Sequence, residues 1–400
     1  MNRISGASSF APQESCGQDA EALAAVLAQL PQGSTTAARA GDITSTSRSP
    51  SEWCWLAPYL VVVALLLTVA NVVGGTHGMD VWTILIPYAN RILAVAPAVI
   101  IGLLTSVTIY FMARGEKSPL KAMTDAVRLR FENLPMVAAV AVAVIAVPYA
   151  MGSYGLLKMA IHLVVPFYLD NTLATADRVL FLGHDPWRLT HALFGDPLST
   201  AMIDRIYVLW VPLVMVGVLL ASVAKPRLRA HFFLSFVLCW ALVGVAGAYG
   251  LSSAGPCFAD RLGTESAPWF APLMVQLSTA HATHGVNAVF WQTVLWNSAV
   301  FGDYEFARGI SAAPSMHNAV CMLYVLALRN SSAVWRVGAK LFAAIVWIGS
   351  VHLGWHYAVD GLIAWAMMVG IWAGVGAYLD RVGYRPGRSR GTPISSAASA

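Results

Sequence analysis

Eight stretches of this chain are apolar over roughly the length that a helix needs to cross a bilayer, about 20 residues. A water-soluble fold is excluded because 58% of the side chains are hydrophobic and only 11% are charged, whereas soluble domains carry about 25% charged residues. The chain is therefore predicted to be an all-α, polytopic membrane protein. The predicted spans are Trp53–Val73, Ile84–Met112, Leu134–Leu156, Ile203–Ala224, Phe232–Leu251, Ala313–Leu328, Leu341–Tyr357 and Leu362–Tyr378.

The distribution of basic residues predicts the topology. Lys and Arg concentrate in the tails and in every second connection between spans, whereas the long connections 157–202 and 252–311 are rich in Asp and Glu. The positive-inside rule then predicts that both termini are cytoplasmic and that these two long loops are extracytoplasmic. Residues 1–50 and 381–400 are predicted to be disordered tails. The basic segment 113–133 is predicted to be an amphipathic helix on the cytoplasmic leaflet.

The most distinctive local pattern is His352-Leu-Gly-Trp-His356-Tyr-Ala-Val-Asp360, near the extracytoplasmic end of the seventh predicted span. Steps of four residues would place these three polar side chains along one face of a helix. Ionisable side chains at membrane depth are costly, so their presence indicates a functional site.

Two further polar clusters are predicted to lie at the same side of the membrane. Ala313-Pro-Ser-Met-His317 opens the sixth predicted span, and Ser253 to Arg261 follows the fifth. Spans six and seven would form an antiparallel hairpin, in which His317 and His356 lie roughly 18 and 24 Å from the cytoplasmic turn. The three clusters are thus predicted to meet at one extracytoplasmic rim.

Two histidines and one carboxylate fit a phosphoryl-transfer scheme. One imidazole attacks phosphorus, the carboxylate fixes its tautomer, and the second imidazole protonates the leaving oxygen. The phosphoryl oxygens also need positively charged or hydrogen-bonding partners, because positioning and electrostatics dominate this chemistry.

The clusters resemble the signatures of a known family. Pro314-Ser315-Met316-His317 and His356-Tyr-Ala-Val-Asp360 are similar to the second and third signatures of the type 2 phosphatidic acid phosphatase superfamily, most closely in its inositol phosphorylceramide synthase branch. Gly255-Pro-Cys-Phe258 resembles that branch's first signature. The resemblance implies a six-helix phosphatase/phosphotransferase core over residues 134–380, preceded by two extra spans and a basic loop over residues 51–133.

The resemblance also implies a role for each matching residue. His356 would be the nucleophile that forms a phosphohistidine, and Asp360 would orient it. His317 would protonate the leaving alkoxide and then act as the base for the acceptor. Ser315 would donate a hydrogen bond to a phosphoryl oxygen.

The chain departs from the phosphatase signatures at three positions. The first signature lacks its Lys, Met316 replaces the usual Gly, and Ser350 stands where an Arg precedes the nucleophile by six residues. Arg261, Arg308 and His352 are the candidates to bind the phosphate instead. Because the synthase branch shows similar losses, the resemblance favours transfer over hydrolysis.

Together these features predict a metal-independent enzyme in the plasma (inner) membrane with an extracytoplasmic active site. It would take a phosphoryl group from a lipid phosphate or lipid phosphodiester and pass it to water or to a polyol. No cofactor, metal ion or nucleic-acid partner is expected, and the sequence specifies neither the lipid nor the oligomeric state.

Two alternatives stay open. His281 and His284 could join His352 and His356 in a zinc site, although the chain lacks the Glu that follows the first His of a zincin motif. The chain could instead be a transporter or a non-catalytic lipid-binding protein with a decayed site. A transporter would be expected to show inverted repeats and interrupted helices near the midplane, and no convincing repeat is present.

Overall fold

The structure is a computed structural model that describes residues 52–131, 134–305 and 307–384. Within these residues the chain forms helices and turns and no strand, which confirms the predicted all-α class. The helices are α1 (Trp53–Thr76), α2 (Val81–Ala113), α3 (Pro119–Phe131), α4 (Leu134–Val164), α5 (Asp170–Leu180), α6 (Pro186–Phe194), α7 (Pro197–Val208), α8 (Trp210–Ser222), α9 (Pro226–Leu238), α10 (Ala267–His284), α11 (Asn287–Phe301), α12 (Met316–Ala327), α13 (Ala333–His352) and α14 (Ala358–Arg381).

Over the described ranges, seven helical runs are long and apolar enough to cross a membrane. They are α1, α2, α4, the α7–α8 run (Pro197–Ser222), α9 with its continuation (Pro226–Gly250), α13 and α14. The sixth predicted span forms the shorter α12, whose 12 residues rise about 18 Å. The chain is an integral membrane protein of the predicted polytopic, helical architecture.

The third predicted span is part of a longer helix. It was expected to end at Leu156, but α4 continues to Val164 because the residues that follow Leu156 remain mostly apolar. Lys158 therefore lies inside α4 and not in a connecting loop.

The two long predicted loops are largely helical. Residues 157–202 contain α5 and α6, and α5 begins at Asp170. Pro186 and Pro197 occupy the first turns of α6 and α7, where a missing N–H is tolerated. Residues 252–311 contain the α10–α11 hairpin. The helix α10 ends at His284 and is followed by Gly285, whose φ of +67° would strain other residues. The basic segment 113–133 contains α3.

A π-helical segment, Cys239–Gly247, continues α9 and contacts the start of α12. A Cβ at Gly247 would lie 3.0 Å from the ring of Pro314, and one at Gly244 would lie 3.1 Å from Sδ of Met316. Without side chains at these two positions, residues 314–316 pack directly on the π-helical turns. This contact places the start of α12 against the π-helical turns.

Two ion pairs lie at the end of the bundle where α9 begins and α14 ends. Arg229 is completely buried, and its Nη2 lies 2.9 Å from Oε1 of Glu52. Arg227 pairs with Asp380 at 2.8 Å. The predicted tails lie outside the described residues, apart from 381–384, where Tyr384 is buried.

Candidate active site

Ser315 and His317 are placed by the start of α12. Ser315 is the N-cap residue, and its buried Oγ accepts hydrogen bonds from N and Nδ2 of Asn318 at 3.4 and 3.0 Å. Such capping is a common role for serine. His317 therefore lies in the first turn of α12, next to the π-helical segment.

His356 lies in a turn between two helices. The helix α13 ends at His352, Gly354 has a φ of +72°, and α14 begins at Ala358. The prediction that His352, His356 and Asp360 share one helix face is therefore wrong. The left-handed conformation of Gly354 ends the helix between His352 and His356. Asp360 lies in the first turn of α14, and its Oδ2 accepts a hydrogen bond from N of Tyr357 at 3.1 Å.

The structure brings the two histidines and the carboxylate together. The ring centroids of His317 and His356 lie 5.8 Å apart, with an angle of 63° between the rings. Nδ1 of His356 lies 2.9 Å from the carbonyl oxygen of Ala312 and 3.4 Å from Oδ2 of Asp360. His356 is buried and Asp360 is completely buried. Both partners of Nδ1 are acceptors, so the proton resides on Nδ1 and the lone pair on Nε2.

His317 is held by aromatic contacts. Its ring centroid lies 4.7 Å from that of Tyr207 and 4.3 Å from that of Trp210. These two residues come from α7 and from the first position of α8. Among the described residues, the His317 ring has no hydrogen-bond partner. Its nitrogens are thus available to a bound molecule between the two histidines.

The first polar cluster joins the same site through its backbone. N of Cys257 donates to the carbonyl oxygen of Gly354 at 2.9 Å, and N of Ala312 donates to that of Ser253 at 2.9 Å. Gly255 has a φ of +104°, and a Cβ there would lie 2.6 Å from the carbonyl oxygen of Trp355. Only glycine fits this approach. The three clusters that the sequence predicts to converge do so at one end of the bundle.

Two aspartates of α5 hold the site from outside, and neither is among the site residues predicted from the sequence. Asp170 accepts hydrogen bonds from the N atoms of Ala254 and Gly255 and from Oη of Tyr357, at 2.8 to 3.1 Å. Asp177 accepts from the first two N–H groups of α14, at 2.8 Å each. Both carboxylates share a buried stripe of α5 with Leu173 and Ala174. The sequence signal for these two residues is that acidic side chains lie at both ends of an apolar helix stripe, a position that favours their burial.

Burial raises the pKa of Asp177 to about 7. The N–H groups at the start of α14 favour its charged form, whereas the nearby carboxylates of Asp185 and Asp360 oppose it. The pKa of Asp185 is shifted in the opposite direction, downwards. Although burial raises its pKa, hydrogen bonds from Arg178 and Arg188 hold it below its usual range.

The residues nominated to replace the phosphate-binding Lys and Arg lie in different surroundings. Arg261 is exposed and stacks on Trp296 at 5.3 Å from the ring centroid. Arg308 is half-buried, and Nη2 pairs with Glu305 at 3.2 Å and with Asp303 at 3.6 Å. The described contacts of these two arginines include neither His317 nor His356.

His352 is completely buried away from the histidine pair. Its Nε2 and Nδ1 lie 3.0 and 3.2 Å from the hydroxyls of Thr200 and Thr190, and its ring stacks on His191 at 3.9 Å. Both ring nitrogens are occupied, so His352 joins α13 to α6 and α7 and leaves no nitrogen for a phosphate.

Lys158, predicted to lie in the loop 157–202, is a basic residue of α4 near the histidines. It lies one turn after Tyr154 on the same face of α4, and Tyr154 packs with Met316 around Gly244. The ammonium group of Lys158 lies close enough to His317 to repel positive charge on its ring. Among the described residues, it has no hydrogen-bond or ion-pair partner. The apolar sequence after Leu156 was the signal that α4 continues past Lys158.

The alternative zinc site does not form among the described residues, which contain no group of three His, Cys, Asp or Glu side chains placed to hold a metal ion. Nδ1 of His281 bonds to the carbonyl oxygen of Val286, and His284 bonds to Thr283. These two histidines instead stabilise the end of α10.

The fold is that of a polytopic helical membrane protein, and the site consists of two paired histidines beside a buried carboxylate. The model of the PAP2 superfamily matches residues 171–374, about half of the chain. The chain belongs to this superfamily, and membership indicates phosphatase or phosphotransferase activity on phosphate esters. Searches of curated proteins and of solved structures found no match.

Proposed function

We propose that this protein is an integral-membrane phosphotransferase/phosphatase that acts on a lipid phosphate or lipid phosphodiester through a phosphohistidine at His356. One observation carries the proposal: His317 and His356 face each other at 5.8 Å while Nδ1 of His356 is bound to the carbonyl oxygen of Ala312. Nε2 of His356, on the other side of the ring from the Ala312 carbonyl, therefore keeps its lone pair free to act as a nucleophile.

In the first half-reaction, Nε2 of His356 attacks phosphorus and the bond from phosphorus to the leaving oxygen breaks. His317, in its protonated form, gives its proton to that oxygen, so the leaving group departs as an alcohol. The new N–P bond places positive charge on the His356 ring. The buried carboxylate of Asp360, 3.4 Å from Nδ1, stabilises this charge.

In the second half-reaction, neutral His317 takes a proton from the acceptor hydroxyl, whose oxygen attacks phosphorus. The N–P bond breaks and its electron pair returns to Nε2 of His356. The acceptor is water in hydrolysis and a polyol in transfer. The resemblance to the inositol phosphorylceramide synthase branch supports a polyol such as inositol.

Lys158 supplies positive charge for the phosphoryl oxygens in this scheme. An ammonium group in a membrane-spanning helix without a counter-charge is costly, and an anion bound beside His317 would compensate it. Ser315 is the second candidate, since its hydroxyl can turn its proton towards a bound oxygen while it accepts from Asn318. Arg261 and Arg308, whose described contacts are with Trp296, Asp303 and Glu305, are the less favoured candidates.

The substrate class follows from the location of the site. His317 lies in the first turn of α12 and His356 in the turn between α13 and α14, within a bundle of apolar helices. Acyl or prenyl chains can therefore stay in the bilayer while the phosphate enters between helices. The bias of basic residues supports an extracytoplasmic site and cytoplasmic termini. The membrane that we propose is the plasma (inner) membrane. The scheme uses no metal ion or organic cofactor.

The test is turnover by purified protein in lipid nanodiscs. The substrates are ³²P-labelled lipid phosphates and phosphodiesters, with inositol, with glycerol or with neither, and with or without a chelator. We expect label on a new polyol phosphate or in free phosphate, and an acid-labile ³²P-protein in quenched samples. Release of free phosphate alone would overturn the transferase assignment, and loss of all activity with chelator would overturn metal independence.

Two variants assign the residues. His356→Ala should abolish both turnover and the labelled protein, and His317→Ala should reduce turnover strongly. His284→Ala removes an exposed histidine of α10 and serves as the matched control, with turnover unchanged. Normal turnover by His356→Ala would show that His356 is not the nucleophile. Lack of turnover by the wild type over the whole substrate panel would favour a transport or lipid-binding role.

A further inference from the structure

Hydrogen bonds and short pieces of backbone form a closed circuit that includes His356. The residue that joins the two ends of this circuit, Asp170, lies outside the three signature segments. Asp170, at the start of α5, is 2% exposed. Its carboxylate accepts from N of Ala254 at 3.0 Å, from N of Gly255 at 2.8 Å and from Oη of Tyr357 at 2.9 Å. One buried carboxylate thus binds the first polar cluster and the turn that carries His356.

The circuit continues from Ser253 to His356. The backbone oxygen and Oγ of Ser253 accept from the N atoms of Ala312 and Ala313, at 2.9 and 3.0 Å. The carbonyl oxygen of Ala312 accepts from Nδ1 of His356 at 2.9 Å. His356 is followed in the chain by Tyr357, and the hydrogen bond from Oη of Tyr357 to Asp170 closes the circuit. Every member of the circuit is buried.

We propose that Asp170 is a positioning residue for the proposed reaction: through this circuit it holds the Ala312 carbonyl and the Tyr357 ring so that Nε2 of His356 points at the phosphorus. The inference rests on the proposed function of His356. Asp170 itself touches neither His356 nor His317 in the described contacts, so it acts on catalysis only through the groups that it holds.

The charge of Asp170 makes this anchor stronger than a neutral one. Three donors, two from the backbone and one phenolic, converge on one carboxylate, and hydrogen bonds to charged groups are stronger than neutral ones. An amide at this position would turn an NH₂ group towards a backbone N–H or the Tyr357 hydroxyl. Asp170→Asn should therefore disturb both the segment around Gly255 and the turn that carries His356, while it changes the side-chain volume little.

The first measurement is hydrogen exchange by mass spectrometry, which does not depend on activity. In the Asp170→Asn variant, peptides covering 253–258 and 309–315 should exchange at least about tenfold faster, while peptides of α1 stay unchanged. Unchanged exchange at 309–315 would overturn the proposed circuit, whatever the protein catalyses.

The second measurement is a kinetic double-variant cycle with Asp170→Asn and Tyr357→Phe. Tyr357→Phe removes one hydroxyl and leaves the backbone bonds of Asp170 intact, so it remains informative if Asp170→Asn folds poorly. We expect kcat to fall about tenfold for Tyr357→Phe and further for Asp170→Asn, with KM within about twofold of the wild type. The double variant should be no worse than Asp170→Asn, because both act through one circuit.

Tyr59→Phe is the matched control. It also removes a buried tyrosine hydroxyl, which donates to the carbonyl oxygen of Ala143 at 2.9 Å far along α4, and its kcat should equal that of the wild type. Additive effects of the two circuit variants, or a rise in KM with kcat unchanged, would contradict a positioning role. If the wild type turns over no phosphate ester, the proposed function fails, and the exchange data still decide whether the circuit exists.

Discussion

The Nδ1 atom of His356 lies 2.9 Å from the carbonyl oxygen of Ala312, a shorter contact than the 3.4 Å from Nδ1 to Oδ2 of Asp360. A carbonyl oxygen can only accept a hydrogen bond, so it alone suffices to keep the proton on Nδ1. The orienting role that the resemblance assigns to Asp360 is therefore shared with the backbone. In the proposed scheme, the contribution left to the carboxylate is the stabilisation of positive charge on the phosphorylated ring.

Asp360→Asn is predicted to slow catalysis less than the loss of the nucleophile. The Ala312 carbonyl still holds the reactive tautomer, so kcat should fall about 10- to 100-fold, against at least about 1,000-fold for His356→Ala. Steady-state kinetics in nanodiscs measure both values. Asp380→Asn, at the far end of α14, is the control. A loss for Asp360→Asn equal to that for His356→Ala would show that the carbonyl does not hold the tautomer.

Lys158→Met is predicted to weaken phosphate binding without destabilising the fold. Methionine fills the same space but removes the ammonium group near His317, so KM and the inhibition constant for inorganic phosphate should rise about 10- to 100-fold. The free energy of unfolding should stay equal or increase, because no described residue pairs with this ammonium group. Inhibition by phosphate and thermal unfolding in detergent are the measurements.

Lys158→Arg keeps the charge and should retain most of the phosphate affinity. Lys225→Met removes an exposed lysine at the start of α9, at the other end of the bundle, and should change neither constant. Unchanged phosphate inhibition in Lys158→Met would leave Arg261 or Arg308 as the phosphate ligand.

The parts of this molecule that sequence predicts well are those set by local composition. Long apolar runs predict the spans, and polar clusters next to them predict that Ser253, His317 and His356 meet at one end. The sequence prediction failed where a short-range pattern has two interpretations. Spacing of four residues from His352 to Asp360 suggests one helix, but Gly354 adopts a left-handed conformation and the helix ends.

Other parts of the site depend on contacts between segments far apart in the chain. Apart from the Tyr357 hydroxyl, the donors to Asp170 and Asp177 are backbone N–H groups more than 80 residues away. No residue type marks such backbone donors in a sequence. The same holds for the Ala312 carbonyl. Arg261 and Arg308 were nominated for their charge alone, whereas their contacts with Trp296, Asp303 and Glu305 depend on loop conformation.

Asp177 is predicted to make stability fall as the pH rises from about 4 to 7. Burial raises its pKa to about 7 in the folded protein, while the unfolded chain releases the same proton near pH 4. Between these values the folded state binds more protons, so its stability decreases with pH. Asp177→Asn cannot ionise and should lose this slope, which is at most about 4 kcal/mol over the window.

Unfolding of the wild type and of Asp177→Asn at about pH 4.5, 6 and 8 measures the effect. Asp185→Asn is the control. The pKa of Asp185 is lowered by Arg178 and Arg188 against the effect of burial, so its stabilising contribution is present above pH 4 and is lost only below it. A wild-type slope that persists in Asp177→Asn would assign it to another group.

Glu52→Gln is predicted to destabilise the bundle by about 3 to 5 kcal/mol, because it leaves the completely buried guanidinium of Arg229 without its counter-charge. Asp380→Asn breaks the more exposed pair with Arg227, in which the Asp380 side chain is 58% exposed, and should change stability by about 1 kcal/mol or less. The double variant Glu52→Gln with Arg229→Met removes the unpaired charge and should recover most of the loss. Thermal unfolding in detergent at low and high salt measures all three, and equal losses for the two single variants would show that burial does not set the strength of these pairs.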